Sequence, residues 1–449
     1  MRTIVPAAPN DVTGGPNEKG RNVIYVTTNS GKTPVTKGVD YKGKAVLTSN
    51  EVATETFDLE TIAVRGNSSA DKPKKPYKLK FDSKQKPFGM KSDKTWILLA
   101  NYVDWTLVRS MVAWDLGRKL LGLKWTPNST FAELYINGKY LGSYQMVESI
   151  KIDSNRVNVS KTTGQVIEFD PHYKEDGVPG MVGKTGVKYA WKDPDEFKTL
   201  DDGNEDPEGL TNAKISAMKS KIRKFEDVLY GPTGSRNWAT YQPSTPASDW
   251  TTHLDMSSAV DYYLAREFTK DQDADMYRSN FFYTNNVDPA SVDKFFMGPI
   301  WDFDRSAGAK HPSDTTVDQP TGWWMRGGDS SFHNTTNIHW YTRITDDPRF
   351  LEALRVRWAE TKQHFAAVGP DGVSAAVRKL GGDQAGLNEP DVPDDPDLAL
   401  GKQVAANDRA RWEGYGSRYD PRSSTYTGEL NWVRDWYEKR YAWMDARLS

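Results

Sequence analysis

Two sequence patterns, one typical of β-strands and one typical of α-helices, occupy different parts of the chain. This separation is what most limits its possible folds. Short runs that alternate apolar and polar residues lie within residues 21–148, and Tyr77–Phe81 is a clear example. Apolar residues at helical spacing dominate later, over 255–269, 347–366 and 429–447. Strands followed by helices indicate an α+β protein. We therefore predict an α+β fold with a β-rich first lobe and a helix-rich second lobe.

Length and local composition suggest where the chain divides. Its 449 residues exceed what one small core needs, so two or three folding units, or one large elaborated domain, are expected. The predicted ranges are 1–60 for an N-terminal arm and β extension, 61–183 for the β-rich lobe, 184–252 for a polar insertion or connection, and 253–449 for the helix-rich lobe.

Local signals place individual elements. Residues 104–122 predict a helix that Asp104 caps and Gly122 ends. The pair Asn137-Gly138 between two alternating runs predicts a β-hairpin. The other predictions are a helix over 211–229, strands over 279–285 and 294–300, a long loop over 302–337, and an acidic, Pro-rich loop over 381–396.

Composition narrows the classes of partner. The 59 Lys and Arg residues nearly balance the 61 Asp and Glu residues, so we expect neither nucleic acid nor an anionic membrane as a partner. The chain has no cysteine, which excludes disulfides and thiolate chemistry. No apolar stretch reaches the roughly 18 residues of a membrane span, and no signal-peptide core is visible. The location stays open between cytoplasmic, coat- or virion-associated, and exported with its leader removed.

The acidic segment at residues 271–275 is the strongest candidate for chemistry. Its alternating aspartates, Asp271, Asp273 and Asp275, resemble the start of a calcium-binding loop. Such a loop needs Gly at its sixth position and Glu at its twelfth, where this chain has Met276 and Phe282. We therefore reject the calcium-loop interpretation. An Asp-rich turn at the end of a helix remains the simplest alternative.

Spacing connects this segment to phosphoryl transfer. Asp275 precedes Asn280 by five residues, as the catalytic Asp precedes the metal-binding Asn in the catalytic loop of protein kinases. Asp302 and Asp304 follow a second strand-like run. Phosphoryl transfer needs a carboxylate near the hydroxyl proton and further oxygen ligands for a divalent metal. Two ordinary capping turns, and a glycosidase with two distant carboxylates, remain alternatives.

A basic segment precedes the predicted helix over 104–122. Lys78 and Lys80 share one face of the strand-like run, where either is placed to neutralise nucleotide phosphates. Arg65 opens a polar turn whose backbone amides and guanidinium are able to meet phosphate. A solvated basic edge strand is the alternative interpretation.

The chain resembles the CotH family, the spore-coat protein kinases and their relatives, over roughly residues 60–449. The matching stretches are Arg65–Ser69 with Lys75–Lys80, Trp96–Asp104 running into Arg109, Leu134–Tyr144 with Glu148, Asp275 with Asn280, Ile300–Asp304, and the closing helix through Lys439–Asp445. Their common order makes the resemblance specific.

The resemblance implies an atypical protein-kinase-like, two-lobed fold that uses ATP and Mg²⁺ or Mn²⁺ to phosphorylate Ser or Thr of a protein substrate. By position, Asp275 is similar to the catalytic Asp, Asp302 to the metal-binding Asp, and Asn280 to the second metal ligand. The remaining implied roles fall on Asp304 as a second metal candidate, on Lys78 or Lys80 as the phosphate-binding lysine with Arg65 beside it, and on Glu148 as a nucleotide contact.

One departure from ordinary kinases keeps a second hypothesis open. The predicted helix over 104–122 has no Glu to pair with a phosphate-binding lysine, and Glu148 is the candidate replacement. A catalytically weak or inactive kinase-fold protein, acting as a structural or binding component of a coat, cell surface or virion, is therefore the alternative.

Overall fold

The computed structural model describes residues 21–49, 55–174, 177–194, 210–231, 249–309, 317–325, 339–382, 396–412 and 421–449. The predicted arm over residues 1–20, parts of the predicted loop over 302–337, and residues 383–395 lie outside these ranges.

The chain forms two compact units, and each unit is assembled from separate stretches. The first consists of Met1–Val112, Pro127–Ser149 and Val368–Arg434. The second consists of Ala113–Thr126, Ile150–Ala367 and Asp435–Ser449. The ranges expected from the sequence are consecutive instead, and they stay predictions about domain organisation.

A closed seven-stranded barrel forms the β-rich part of the first unit, with strand order β1-β2-β3-β4-β5-β7-β6. Its strands are β1 (Val23–Thr28), β2 (Asp40–Thr48), β3 (Glu55–Val64), β4 (Tyr77–Gln85), β5 (Asp93–Leu99), β6 (Ser129–Ile136) and β7 (Lys139–Glu148). Parallel pairing of β1 with β6 closes the barrel, and the other pairs are antiparallel. The predicted hairpin is confirmed between β6 and β7, where Asn137 and Gly138 both have positive φ.

The second unit contains a five-stranded antiparallel sheet in the order β12-β11-β8-β10-β9. Its strands are β8 (Gln165–Phe169), β9 (Gly180–Val182), β10 (Lys188–Asp193), β11 (Asn280–Thr284) and β12 (Phe296–Met297). Phe169, Tyr189 and Phe282 pack with Trp340 on one face. These aromatic contacts stabilise the sheet. The acidic segment with Asp275 leads into β11 of this sheet, and the segment with Asp302 follows β12.

The helices confirm most of the sequence predictions. In the described residues they are α1 (Arg109–Gly117), α2 (Leu210–Tyr230), α3 (Met256–Thr269), α4 (Trp340–Ile344), α5 (Pro348–Ala366), α6 (Val373–Gly381), α7 (Pro396–Arg411) and α8 (Tyr426–Leu448). The α+β composition, β-rich first and helix-rich later, is also confirmed. None of these helices is both long enough and apolar enough to span a bilayer.

The bounds of two predicted elements were wrong. The helix predicted over 104–122 begins only at Arg109, because Asp104 uses its carboxylate in the preceding turn, where it accepts from the backbone N–H of Thr106 and Arg109. This helix ends at Gly117, so Gly122 does not end it. The strand predicted over 294–300 is only two residues long, because Gly298 turns the chain with φ of 113°.

A buried ion pair attaches α7 to the barrel within the first unit. The Lys74 ammonium lies 2.7 Å from Asp408 Oδ2 and donates to the Ser143 carbonyl at 2.6 Å. The other oxygen, Asp408 Oδ1, accepts from the Ser143 N–H at 2.9 Å. A Cβ at Gly142 would lie 2.1 Å from this carboxylate, so the close approach requires glycine there.

Candidate functional site

The acidic segment of the second unit begins where α3 ends. Lys270 leaves the helix in a left-handed conformation, with φ of 44°. Its ammonium donates to the carbonyls of Gln319 and Thr321 at 3.0 and 2.7 Å. These bonds fix the point at which the chain leaves the helix and enters residues 271–279.

A buried arginine on α3 links the two predicted acidic segments. The Arg266 side chain is fully buried and donates to the Trp301 carbonyl at 2.6 Å and to Asn280 Oδ1 at 3.0 Å. It also lies 3.1 Å from Asp271 Oδ2. One guanidinium therefore contacts the loop that carries Asp275 and the residue immediately before Asp302.

Asn280 opens β11 with every hydrogen-bonding position of its amide in use. Its Oδ1 accepts from the Tyr262 hydroxyl at 2.7 Å as well as from Arg266. Its Nδ2 donates to the carbonyls of Asp273 and Arg278, both at 2.7 Å. Asn280 thus closes the loop into a fixed shape. Its predicted role as a metal ligand stays a prediction, and it requires the release of one of these bonds.

Asp275 occupies a site that favours the neutral form of its carboxyl. Burial, reinforced by the neighbouring negative charge of Asp273, raises the pKa of Asp275 to about 8. Asp273 itself is paired with Arg278 at 3.2 Å. A carboxylate whose pKa lies near the working pH is suited to accept a proton from a substrate hydroxyl.

Asp271 is a buried member of the same electrostatic cluster. Burial raises the pKa of Asp271, Arg266 acts in the opposite direction, and the charges of Asp273 and Asp302 raise the pKa further. The contact with Arg266 identifies Asp271 as the counter-charge of the buried guanidinium.

Asp302 follows β12 in a left-handed conformation, with φ of 68°, which Asp tolerates better than most residues. The Ser279 hydroxyl donates to Asp302 Oδ2 at 3.0 Å. The structure therefore brings the carboxylate of Asp302 to the base of the loop that contains Asp275. Asp304 lies two residues further on and is half-buried, and its metal role stays a prediction.

Three charged side chains near Asp302 were missed by the sequence analysis. Lys192 lies 2.6 Å from Glu168 Oε2 and 3.5 Å from Asp170 Oδ2. Burial raises the pKa of Glu168, and the charge of Asp302 is one of the effects in that direction. The available signal was Glu168 itself, a charged residue between the apolar Ile167 and Phe169 in a strand sequence.

The donor set suits a divalent metal that arrives with a nucleotide. No three carboxylate or imidazole groups are arranged to hold an ion in the part of the chain that the structure describes. Mg²⁺ usually takes one or two carboxylates and completes its shell with water and phosphate oxygens. The hard oxygens of Asp302 fit that mode of binding better than a cage made of protein alone.

In the first unit, the residues that are predicted to contact the nucleotide lie on both faces of the barrel sheet. Lys80 pairs with Glu60 at 2.7 Å on the exposed face, and Lys78 shares this face. Glu148 lies in register with Trp96, which in turn pairs with Leu79 on the opposite face.

This register corrects one expectation. Glu148 does not pair with Lys78 or Lys80, because alternation along β4 points both lysines away from the face that carries Leu79. Its Oε2 accepts from the Asn128 N–H at 3.0 Å instead, so Glu148 closes the base of the β6–β7 hairpin.

Arg65 lies at the end of β3 in the polar turn that the sequence indicated. Its backbone N–H donates to the Pro76 carbonyl at 3.1 Å. Gly66 follows with φ of 94°, and a Cβ there would lie 2.2 Å from Ser69 Oγ. The turn therefore requires glycine at this position. The nucleotide roles of Arg65, Lys78, Lys80 and Glu148 stay predictions.

In the second unit, a buried arginine therefore links an acidic loop to a second acidic turn beside an antiparallel sheet. The family model described as CotH kinase protein matches residues 62–444, nearly the whole chain. The chain therefore belongs to the CotH family. No curated protein matches it significantly.

Proposed function

We propose that the protein is an ATP- and divalent-metal-dependent protein serine/threonine kinase of the CotH type. In this proposal the barrel unit is the N-terminal lobe and the second unit the C-terminal lobe of an atypical kinase-like fold. Membership of a family described as kinase proteins supports the proposal. The observation that carries it is the attachment of the Asp275 loop to the Asp302 turn through Arg266 and Ser279.

The proposed reaction assigns one step to each acidic residue. Asp275 orients the acceptor hydroxyl and takes its proton as the hydroxyl oxygen bonds to the γ-phosphorus. The bond from that phosphorus to the bridging oxygen breaks, and ADP leaves. Asp302 would hold Mg²⁺ or Mn²⁺, which offsets charge on the phosphate oxygens when bound. Asn280 and Asp304 are the further candidates for metal ligands.

The surroundings of Asp275 support its role as a base. A carboxyl with a pKa of about 8 is partly ionised near neutral pH and binds a proton well once it has received one. The Arg266 contacts hold the loop in one conformation, so the hydroxyl meets a fixed carboxylate.

The test is incubation with ATP and Mn²⁺ or Mg²⁺, followed by mass spectrometry of the protein itself. We expect phosphorylated Ser or Thr in the unaltered protein and none in Asp275→Asn or Asp302→Ala. Asp288→Asn is the matched control, because Asp288 is an exposed loop residue of the same unit. Transfer that survives both active-site changes would refute the proposal.

The structural or binding alternative predicts a different result in the same samples. A kinase-fold protein without chemistry would gain no phosphate under any metal condition. Thermal stabilisation by ATP with metal separates a nucleotide binder from a protein that does not bind nucleotide, because a ligand well above its Kd stabilises by several kcal/mol.

A further inference from the structure

One face of the sheet in the second unit carries charged residues beside Asp302. Glu168 in the central strand β8 lies between Phe281 of β11 and Ala190 of β10, so all three side chains share one face. The aromatic core with Phe169 and Tyr189 occupies the opposite face. Glu168 therefore lies outside the aromatic core, and its burial has another explanation.

Lys192 reaches this face from an irregularity in β10. The pairing of β10 with β8 shifts register between Trp191 and Asp193, and Lys192 is the residue at the shift. A bulge of this kind redirects a side chain. The Lys192 ammonium lies 2.6 Å from Glu168 Oε2 and 3.5 Å from Asp170 Oδ2.

The end of the sheet near this ion pair is also the end that holds Asp302. β8 ends at Phe169 opposite Asn280, where β11 begins, so Asp170 and Ser279 leave the sheet as neighbours. The Ser279 hydroxyl donates to Asp302. The charge of Asp302 also reaches Glu168, where it acts to raise the pKa of that carboxyl.

Stability alone is a weak reason for such a pair. A buried ion pair is often no more stabilising than apolar residues of the same volume, because both charges lose their hydration. About a quarter of the Lys192 side chain stays exposed, although both carboxylate partners are almost fully buried. A lysine fixed by a glutamate beside a metal-binding Asp is how kinases present a cation to nucleotide phosphates.

We propose that Lys192, fixed by Glu168, binds phosphate oxygens of the nucleotide held at Asp302. This inference rests on the proposed kinase function and adds a phosphate-binding residue in the second unit. In this inference Lys192, and not Lys78 or Lys80, is the lysine that a glutamate fixes for phosphate binding. Glu168 acts as a positioning residue, since it fixes the ammonium and does not touch the ligand.

The experiment measures nucleotide affinity, because activity alone would not identify the contact. Isothermal titration compares a non-hydrolysable ATP analogue with adenosine, each with Mg²⁺ present. Lys192→Met tests the residue directly but leaves Glu168 and Asp170 buried without their cation, so the main variant is the doubly neutral Lys192→Met/Glu168→Gln. Lys439→Met/Asp435→Asn is the control, because it neutralises an exposed pair on α8.

The double variant is expected to be more stable than Lys192→Met, because only Asp170 then lacks its cation, and to stay folded in the assay. It is expected to bind the ATP analogue about ten- to a hundredfold more weakly than the unaltered protein, as expected for the loss of a charged hydrogen bond. Adenosine affinity is expected to stay unchanged, and Lys192→Arg is expected to keep most of the ATP affinity.

Equal affinity of the double variant and the unaltered protein for the ATP analogue would overturn the inference and leave the kinase proposal intact. An equal loss for ATP analogue and adenosine would also overturn it, because the pair would then be shaping the site as a whole. If the unaltered protein neither binds the analogue nor transfers phosphate, the kinase proposal and this inference fall together.

Discussion

Replacing Arg266 with Met is expected to destabilise the second unit and to weaken the link between the two acidic segments, which then rests on the Ser279–Asp302 hydrogen bond. The change removes the donors to the Trp301 carbonyl and to Asn280 Oδ1. It also leaves Asp271 buried without its cation at 3.1 Å. Breaking a buried pair from one side costs about 3–5 kcal/mol, a large share of the roughly 5–15 kcal/mol that stabilises a typical protein.

A double-mutant cycle with Asp271 tests whether the uncompensated charge is the cause. In Arg266→Met/Asp271→Asn the remaining partner is neutral, so the double variant should be less destabilised than Arg266→Met alone, by about 1–3 kcal/mol. Both carbonyl contacts are still lost, so recovery is incomplete. Arg266→Lys keeps the charge but not the forked geometry, and it is expected to lower phosphate transfer more than stability.

The assay is urea unfolding at pH 9, where the carboxyl of Asp271 is ionised, followed by tryptophan fluorescence, with the midpoint and slope compared between variants. Arg355→Met is the control, because Arg355 is exposed on α5 and its replacement should stay within about 0.5 kcal/mol. A cost below about 1 kcal/mol for Arg266→Met, or a double variant no more stable than the single one, would refute the view that this pair holds the loop.

Three further predictions concern residues elsewhere in the two units. Because burial raises the pKa of Asp275 to about 8, far above its unfolded value, ionisation costs stability as pH rises from about 4 to 8. Asp275→Asn should therefore raise the melting temperature, increasingly so toward pH 8; a constant difference between melting curves across this range would contradict the assignment. Lys74→Met should lower the free energy of unfolding by about 3–5 kcal/mol, because Asp408 is left buried without its cation. Lys74→Met/Asp408→Asn should recover part of this loss in urea titrations, and no recovery would count against this reasoning. Lys80→Met should change that free energy by at most about 1 kcal/mol, because its pair with Glu60 is exposed, and a larger loss in the same titration would show an unrecognised buried role.

The sequence predicted those parts of the fold that depend on local patterns. Asn137-Gly138 specified a hairpin because both residues tolerate positive φ, and α3, α5 and α8 followed from apolar residues at helical spacing. The closed barrel was not predictable in this way. Its closure depends on parallel pairing of β1 with β6, more than a hundred residues apart, for which no local pattern exists.

The same distinction applies to the candidate site. Asp275, Asn280 and Asp302 became candidates because their spacing and residue types point to phosphoryl transfer, and their roles stay predictions. Arg266 was missed because it lies within a helix whose pattern explains it as an ordinary helical residue. The bulge that redirects Lys192 is a property of strand pairing, so only the three-dimensional arrangement shows the lysine beside Glu168.

In the proposed function, Asp275 and Asp302 act together in phosphate transfer from ATP. The most direct measurement is the intact mass of the purified protein after incubation with ATP and Mn²⁺, compared with Asp275→Asn under identical conditions. We predict added phosphoryl groups on the unaltered protein and none on the variant, which should stay folded. Equal phosphorylation of both proteins would contradict the account.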